Sequence, residues 1–97
     1  MALQVELHPK AIAEARAERQ WYEARSLLAA MAFVAEPDLA VRRIGDNPEG
    51  WPTYVHGTRR YLMRRFPFAV VYRRAGAMIE VVAVAHARRR PGYWRNR

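Results

Sequence analysis

The stretch FAVVYRRAGAMIEVVAVAH, residues 68–86, decides the fold. Two runs rich in β-branched and aromatic residues, 68–73 and 78–86, flank Arg74-Ala75-Gly76-Ala77, a connector of ordinary hairpin length. Residues 81–85 are apolar on both faces, which predicts a strand covered from both sides and therefore central in its sheet. The chain then empties into His86-Ala87-Arg88-Arg89-Arg90-Pro91-Gly92-Tyr93-Trp94. A hydrophobic hairpin that ends in three arginines, a histidine and two aromatics is suited to an anionic partner.

Upstream of the hairpin, Arg60, Leu62, Arg64 and Phe66 alternate with Tyr61, Met63 and Arg65, predicting an edge strand over 59–66. A shorter strand over 53–56 precedes it, turned by Gly57-Thr58, and residues 46–52 carry the Pro, Gly and Asn of a loop. At the other end of the chain Leu3, Val5 and Leu7 alternate with polar residues as a half-buried first strand. Pro9 stops that strand and suits the first turn of a helix, where its missing N–H costs nothing. Residues 10–25 are mostly Ala, Glu and Arg, good helix formers. Ala11, Ile12, Ala15, Arg19 and Tyr22 are expected to face inward, and Glu14, Glu18 and Arg25 outward. Trp21-Tyr22 reads as the bulky end of the buried face. Ser26 is a fitting N-cap for a second helix, which Pro37 is expected to kink or restart near Glu36. The fold class that follows is α+β: two N-terminal helices packed on one face of a small, mostly antiparallel β-sheet. The order is β-α-α-β-β-β-β, in a single domain over 1–97.

Composition narrows the function. The chain is 52% hydrophobic and 27% charged, which is globular rather than disordered. Its net charge of +8 is the outlying value, and of its 17 basic residues only Lys10 is lysine. Arginine presents a planar fork of donors that fits phosphate and carboxylate. A coding bias toward arginine is an alternative source of the ratio, though not of the net charge. With no cysteine there is no disulfide and no thiolate metal site, so a reducing cytoplasm is the expected compartment. The N-terminal residues lack the charged and apolar regions of a signal peptide, and no apolar run approaches a membrane span. His8 and His56 have no second ligand at metal spacing, so neither a metal nor a cofactor is expected.

The order of elements and several motifs together resemble the RelE/ParE superfamily of small toxins from bacterial type II toxin–antitoxin operons. The motifs are the opening strand into His8-Pro9, the Ala/Glu helix closing on Trp21-Tyr22, and Pro48-x-x-Trp51-Pro52. They continue through Arg59-Arg60, Phe66-Pro67-Phe68-Ala69-Val70-Val71-Tyr72-Arg73 and Ala83-Val84-Ala85-His86, to Arg89-Arg90-Pro91-Gly92-Tyr93-Trp94. The resemblance covers essentially the whole chain. It implies a growth-arresting protein neutralised by an acidic, partly disordered cognate antitoxin, with which it forms a hetero-oligomer. ParE-like members poison DNA gyrase by binding, whereas RelE-like members cut mRNA on the ribosome. Several RelE-like toxins have an arginine where this chain has Ala69, and the prototype has a lysine pair on the preceding strands that is missing here. Those departures put the chain on the ParE side.

Three residue sets follow. For a RelE-like nuclease, His86, Arg89 and Tyr93 would be the catalytic group: a base, a charge stabiliser and a proton donor. For a polyanion or target surface, Arg59, Arg60, Arg64, Arg65, Arg73, Arg88 and Arg90 are expected to converge. For the antitoxin, Leu27, Leu28 and Met31 on the second helix, with Tyr61 and Met63 on the edge strand, are the docking candidates. A nontoxic basic nucleic-acid-binding module is the reading from a different class. Trp94 is expected to plug the core, and Tyr93 either plugs or stacks.

Overall fold

The computed structural model describes residues 3–97. The chain forms β1 (Gln4–Leu7), α1 (Pro9–Glu23), α2 (Leu27–Asp46), β2 (Thr53–Tyr54), a short 3-10 turn (Val55–Gly57), β3 (Thr58–Leu62), β4 (Phe68–Ala75) and β5 (Met78–His86). The five strands make one sheet in the order β1-β5-β4-β3-β2. β1 runs parallel to β5 and every other pair is antiparallel. This is the α+β architecture read from the sequence, with β5 inside the sheet as its apolar run requires.

Local chemistry explains the helix starts. His8 caps α1 with its side chain accepting from the Lys10 N–H at 3.0 Å, and Pro9 occupies the first turn. Ser26 caps α2 by accepting from the Ala29 N–H at 3.2 Å. Pro37 does not end α2, which continues as one element to Asp46. The helix is held past it by a sheet-facing stripe of Phe33, Ala40 and Ile44, all buried. Glu36 lies in the same stripe, buried, with one carboxylate oxygen lacking a hydrogen-bond partner among the described residues.

The sheet is covered on both faces by different means. The helix side packs Phe33, Ile44, Tyr61, Phe68, Val70, Tyr72, Ile79, Val81 and Val84 into one cluster. Tyr22, Phe66 and Phe68 stack around Phe33 with ring centroids 5.0–5.5 Å apart. The opposite face carries Val71, Val82, Ala83 and Ala85, and the C-terminal segment seals it by laying Trp94 across them, 2% exposed. The register shifts between Val71 and Tyr72, leaving Val82 as an extra residue, so that Val82 and its neighbour Ala83 both join the second cluster.

Two strand boundaries differ from expectation. The run read as 59–66 ends at Leu62, because residues 63–67 leave the ladder to form the loop into β4. The run read as 53–56 shrinks to two residues, since His56 takes a left-handed conformation (φ 59) beside Gly57 (φ 73). α1 also departs in detail. Ile12 and Trp21 are 43% and 49% exposed, while Glu14 turns inward.

Candidate functional site

The C-terminal segment is tied to the sheet by one carboxylate. β1 leaves β5 after Leu7, whose partner is Val81, so the outer edge of β5 beyond that point has no strand beside it. Glu14 on α1 takes over. Its Oε1 accepts from the Val84 N–H at 3.1 Å and from Arg97 Nη1 at 2.7 Å, while Arg97 Nη1 donates to the Val82 carbonyl at 3.0 Å. Glu14 Oε2 accepts from the Tyr93 hydroxyl. An ion pair thus finishes the edge hydrogen bonding that a strand would otherwise supply. The Glu14 and Arg97 side chains are only 16% and 13% exposed, so the pair is poorly screened.

Glu14 and Arg97 were invisible to pattern reading as partners, being 83 residues apart in the chain. A weaker signal existed: Ala11, Glu14, Glu18 and Tyr22 are spaced at i, i+3, i+7 and i+11, which sets them on one helical face.

His86, Arg89 and Tyr93 do come together, lining one hollow of about 220 Å³ with Glu14, Glu18 and Phe68. Two of their reactive atoms, His86 Nδ1 and the Tyr93 hydroxyl, are already engaged. The Arg88 N–H donates to His86 Nδ1 at 3.0 Å, which occupies one imidazole lone pair. The His86 ring stands edge-on to Phe68, centroids 5.0 Å apart. Burial, then the Glu14 carboxylate beside it, pushes the Tyr93 pKa up, so the hydroxyl stays protonated and committed to Glu14. Arg89 lies over the Tyr93 ring at 3.8 Å. Ala69 is buried in β4 and contributes no charge.

The seven arginines assigned to a polyanion surface do not form one patch. Arg73 is a correction: it makes a two-pronged ion pair with Glu80 at 2.7–2.9 Å and donates to the Arg97 main-chain oxygen. Arg59 is another, donating to the carbonyls of Trp51 at 2.6 Å and Glu49 at 3.3 Å to pin the loop before β2. Arg60 stacks on Tyr54 at 4.3 Å. The remaining four, Arg64, Arg65, Arg88 and Arg90, are exposed and make no ion pair among the described residues. Arg64, Arg65 and Arg88 belong to the two segments that meet where Phe68 pairs with His86 and the Ala87 N–H donates to the Pro67 carbonyl at 2.7 Å, and Arg90 follows on the same turn, against His56. The far end of β4, where Arg73 sits, is several residues away along a strand that rises about 3.4 Å per residue.

The apolar docking candidates also divide. Leu27, Leu28 and Met31 are 69%, 79% and 62% exposed, so they do not face their own sheet, and Val34 extends the stripe. Tyr61 and Met63 are a correction: both are buried, Tyr61 under Trp51 and hydrogen-bonded to Arg43. Leu62 between them is the exposed side chain on that strand, at 61%. No helix is long and apolar enough to cross a membrane among the described residues.

The architecture has known counterparts. A solved structure described as a chromosomal ParDE toxin–antitoxin system from P. aeruginosa superposes with a TM-score of 0.77 at 21% identity, over 88% of this chain and 96% of that one. No curated protein matches the chain significantly. A family model for the ParE toxin of the type II toxin–antitoxin system parDE matches residues 5–91. The chain therefore belongs to the ParE family of type II toxins.

Proposed function

We propose that this toxin arrests growth by binding DNA gyrase, without hydrolysing a substrate itself, and that an antitoxin neutralises it. The observation that supports the reading is the prior engagement of Tyr93 and His86 Nδ1 in the nuclease-like group. The Tyr93 hydroxyl donates to Glu14, and His86 Nδ1 accepts from the Arg88 N–H. A ribonuclease would need those atoms free for the 2′-hydroxyl proton and the leaving oxygen. The arginines around them supply charge, but guanidinium is a poor proton acceptor because its pKa exceeds about 12.

The antitoxin reading rests on the exposed stripe of Leu27, Leu28 and Met31 on α2. Apolar residues this large, contiguous and rimmed by charge are normally covered by a partner. A segment that folds on the toxin would lay an amphipathic helix there. Arg16 and Arg19 on α1, which share a hollow with Val34 at the end of the stripe, suit acidic residues on its polar face.

The test is a pair of reactions with the purified chain. Supercoiling by gyrase is expected to stop, with double-strand breaks trapped in the enzyme–DNA complex. Codon-dependent mRNA cleavage in a translation reaction, lost in His86→Ala, would overturn the reading in favour of a ribosome-dependent nuclease. Unimpaired growth of a host expressing soluble, folded chain would instead point to a nontoxic binding module.

A further inference from the structure

We propose that the end of the molecule where β5 leaves the sheet grips the phosphate backbone of duplex DNA directly, independently of any enzyme. The inference rests on the gyrase reading and adds a second contact to it: the DNA itself.

Two separate segments meet at that end. Arg64 and Arg65 lie on the loop between β3 and β4, and Arg88 and Arg90 on the turn after β5. The loop and the turn are fastened by the Ala87 N–H to Pro67 carbonyl bond at 2.7 Å, which joins the two segments that carry the arginine pairs. All four guanidinium groups are exposed, and the three ion pairs among the described residues use Arg19, Arg73 and Arg97 instead. Of the two carboxylates that line the hollow with His86 and Arg89, Glu14 is already bonded to Arg97, Tyr93 and the Val84 N–H, which leaves Glu18. One free carboxylate does not neutralise four arginines.

A second hollow continues the basic surface onto the strap side. It has a volume of about 360 Å³, and His56, Arg90, Arg95 and Asn96 line it. His56 holds a left-handed backbone (φ 59), a conformation that persists in a non-glycine residue only when its surroundings enforce it. Here the enforcement is visible. The imidazole stands edge-on to Trp94, centroids 6.0 Å apart, and rests against Gly92, where a Cβ would meet its Nε2 at 2.8 Å. Gly92 itself has φ 86, so the position suits glycine twice over. The result is a donor-rich recess fixed between Arg90 and Arg95.

Duplex DNA fits this surface better than an acidic peptide does. Its backbone carries one charge per roughly 1.7 Å of axis, a continuous polyanion for a row of forks. A peptide needs several apolar anchors as well, and of the large exposed apolar side chains only Leu62 adjoins this end among the described residues, the others lying on α1, α2 and at Val55. Nothing in the row is arranged to read base edges, so binding should be indifferent to sequence.

The experiment measures fluorescence anisotropy of a labelled mixed-sequence duplex with the full chain and no gyrase, between 50 and 200 mM salt. Binding is expected to weaken steeply with salt, with a log–log slope near 0.9 per phosphate contacted. Arg88→Glu with Arg90→Glu should weaken binding at least tenfold and flatten the slope by about two. Arg64→Glu with Arg65→Glu should do the same. Arg16→Glu with Arg42→Glu makes the same charge change on the helices and should leave affinity within about twofold. Thermal melts establish that each variant is folded. Weakening by the helix pair equal to that by the two pairs at this end, no binding at 50 mM, or polyglutamate competing as well as DNA at equal charge would each overturn the proposal. Gyrase inhibition by the same variants separates the two readings. Inhibition without direct DNA binding sinks the DNA contact alone; DNA binding without inhibition sinks the gyrase target.

Discussion

The two ends of β4 carry the same residue type put to opposite uses. At the hairpin end Arg73 is clamped to Glu80 and Arg74 donates to the Gly76 carbonyl, while Arg59 on the neighbouring strand holds two loop carbonyls. At the other end Arg64, Arg65, Arg88 and Arg90 have no carboxylate bound to them. The first group acts as fasteners and the second as surface. A high net charge therefore does not locate a binding site; what locates it is which guanidinium groups the fold leaves without a partner.

The comparison is broken most severely by removing Glu14, which anchors the segment on which Arg88 and Arg90 ride. Glu14→Ala strands the Arg97 charge, the Tyr93 hydroxyl and the Val84 N–H in partly buried surroundings. Breaking one side of such a pair costs about 3–5 kcal/mol. A urea-unfolding series should show that loss for the alanine and a smaller one for Glu14→Gln, which keeps an acceptor. An unchanged midpoint would mean that the strap is held by Trp94 packing alone.

High pH attacks the same fastening from another direction. Burial raises the Tyr72 pKa from 10.0 to about 12, and Tyr93 is raised as well, by burial and by Glu14. Between those values the unfolded chain loses the tyrosine proton first, so stability that is complete below pH 10 drains away as pH climbs toward about 12. Tyr72 donates to the Pro48 carbonyl, so Tyr72→Phe should start less stable at neutral pH and lose less on the alkaline limb. Unfolding midpoints across pH 8 to 12 check both halves; equal alkaline slopes would refute the assignment of the loss to Tyr72.

Much of this fold was legible because its signals are local. The alternation of Leu3, Val5 and Leu7, the Pro9 stop, the Ser26 cap and the two-faced run 81–85 each act within a few residues. The misses share a physical cause, which is tertiary contact overriding local preference. Pro37 is carried inside α2 because Phe33, Ala40 and Ile44 are packed on the sheet on both sides of it. Glu14 looked like a solvated face residue because its partners Tyr93 and Arg97 arrive from the far end of the chain. Arg73 was read as free because its partner Glu80 comes from the facing strand, and β3 was drawn too long because alternation alone does not mark where a ladder ends. The docking stripe divided for a simple reason. Helix period places Leu27, Leu28 and Met31 together, whereas Tyr61 and Met63 share the buried side of their strand.

Separating Arg73 from Glu80 tests the hairpin end on a smaller scale. Their side chains are 36% and 29% exposed, so water screens much of the attraction. Arg73→Ala is expected to cost about 1 kcal/mol or less, read from the shift in melting temperature.

The open end should respond to the same chemistry with no stability change at all. Arg88→Ser and Arg90→Ser delete exposed side chains that touch neither a carboxylate nor a buried carbonyl, and the Arg88 N–H that caps His86 belongs to the backbone and survives. Surface replacements away from caps and packed groups stay within about 0.5 kcal/mol. Removing two of several like charges also relieves mutual repulsion, which biases the small residual effect toward stabilisation at low salt. A melting temperature equal to or slightly above the parent's, beside a clear drop for Arg73→Ala, would establish that the two ends differ in kind. A drop at the open end as large as that of Arg73→Ala would show that those arginines hold the fold together after all, and that the surface is no freer there than at the hairpin.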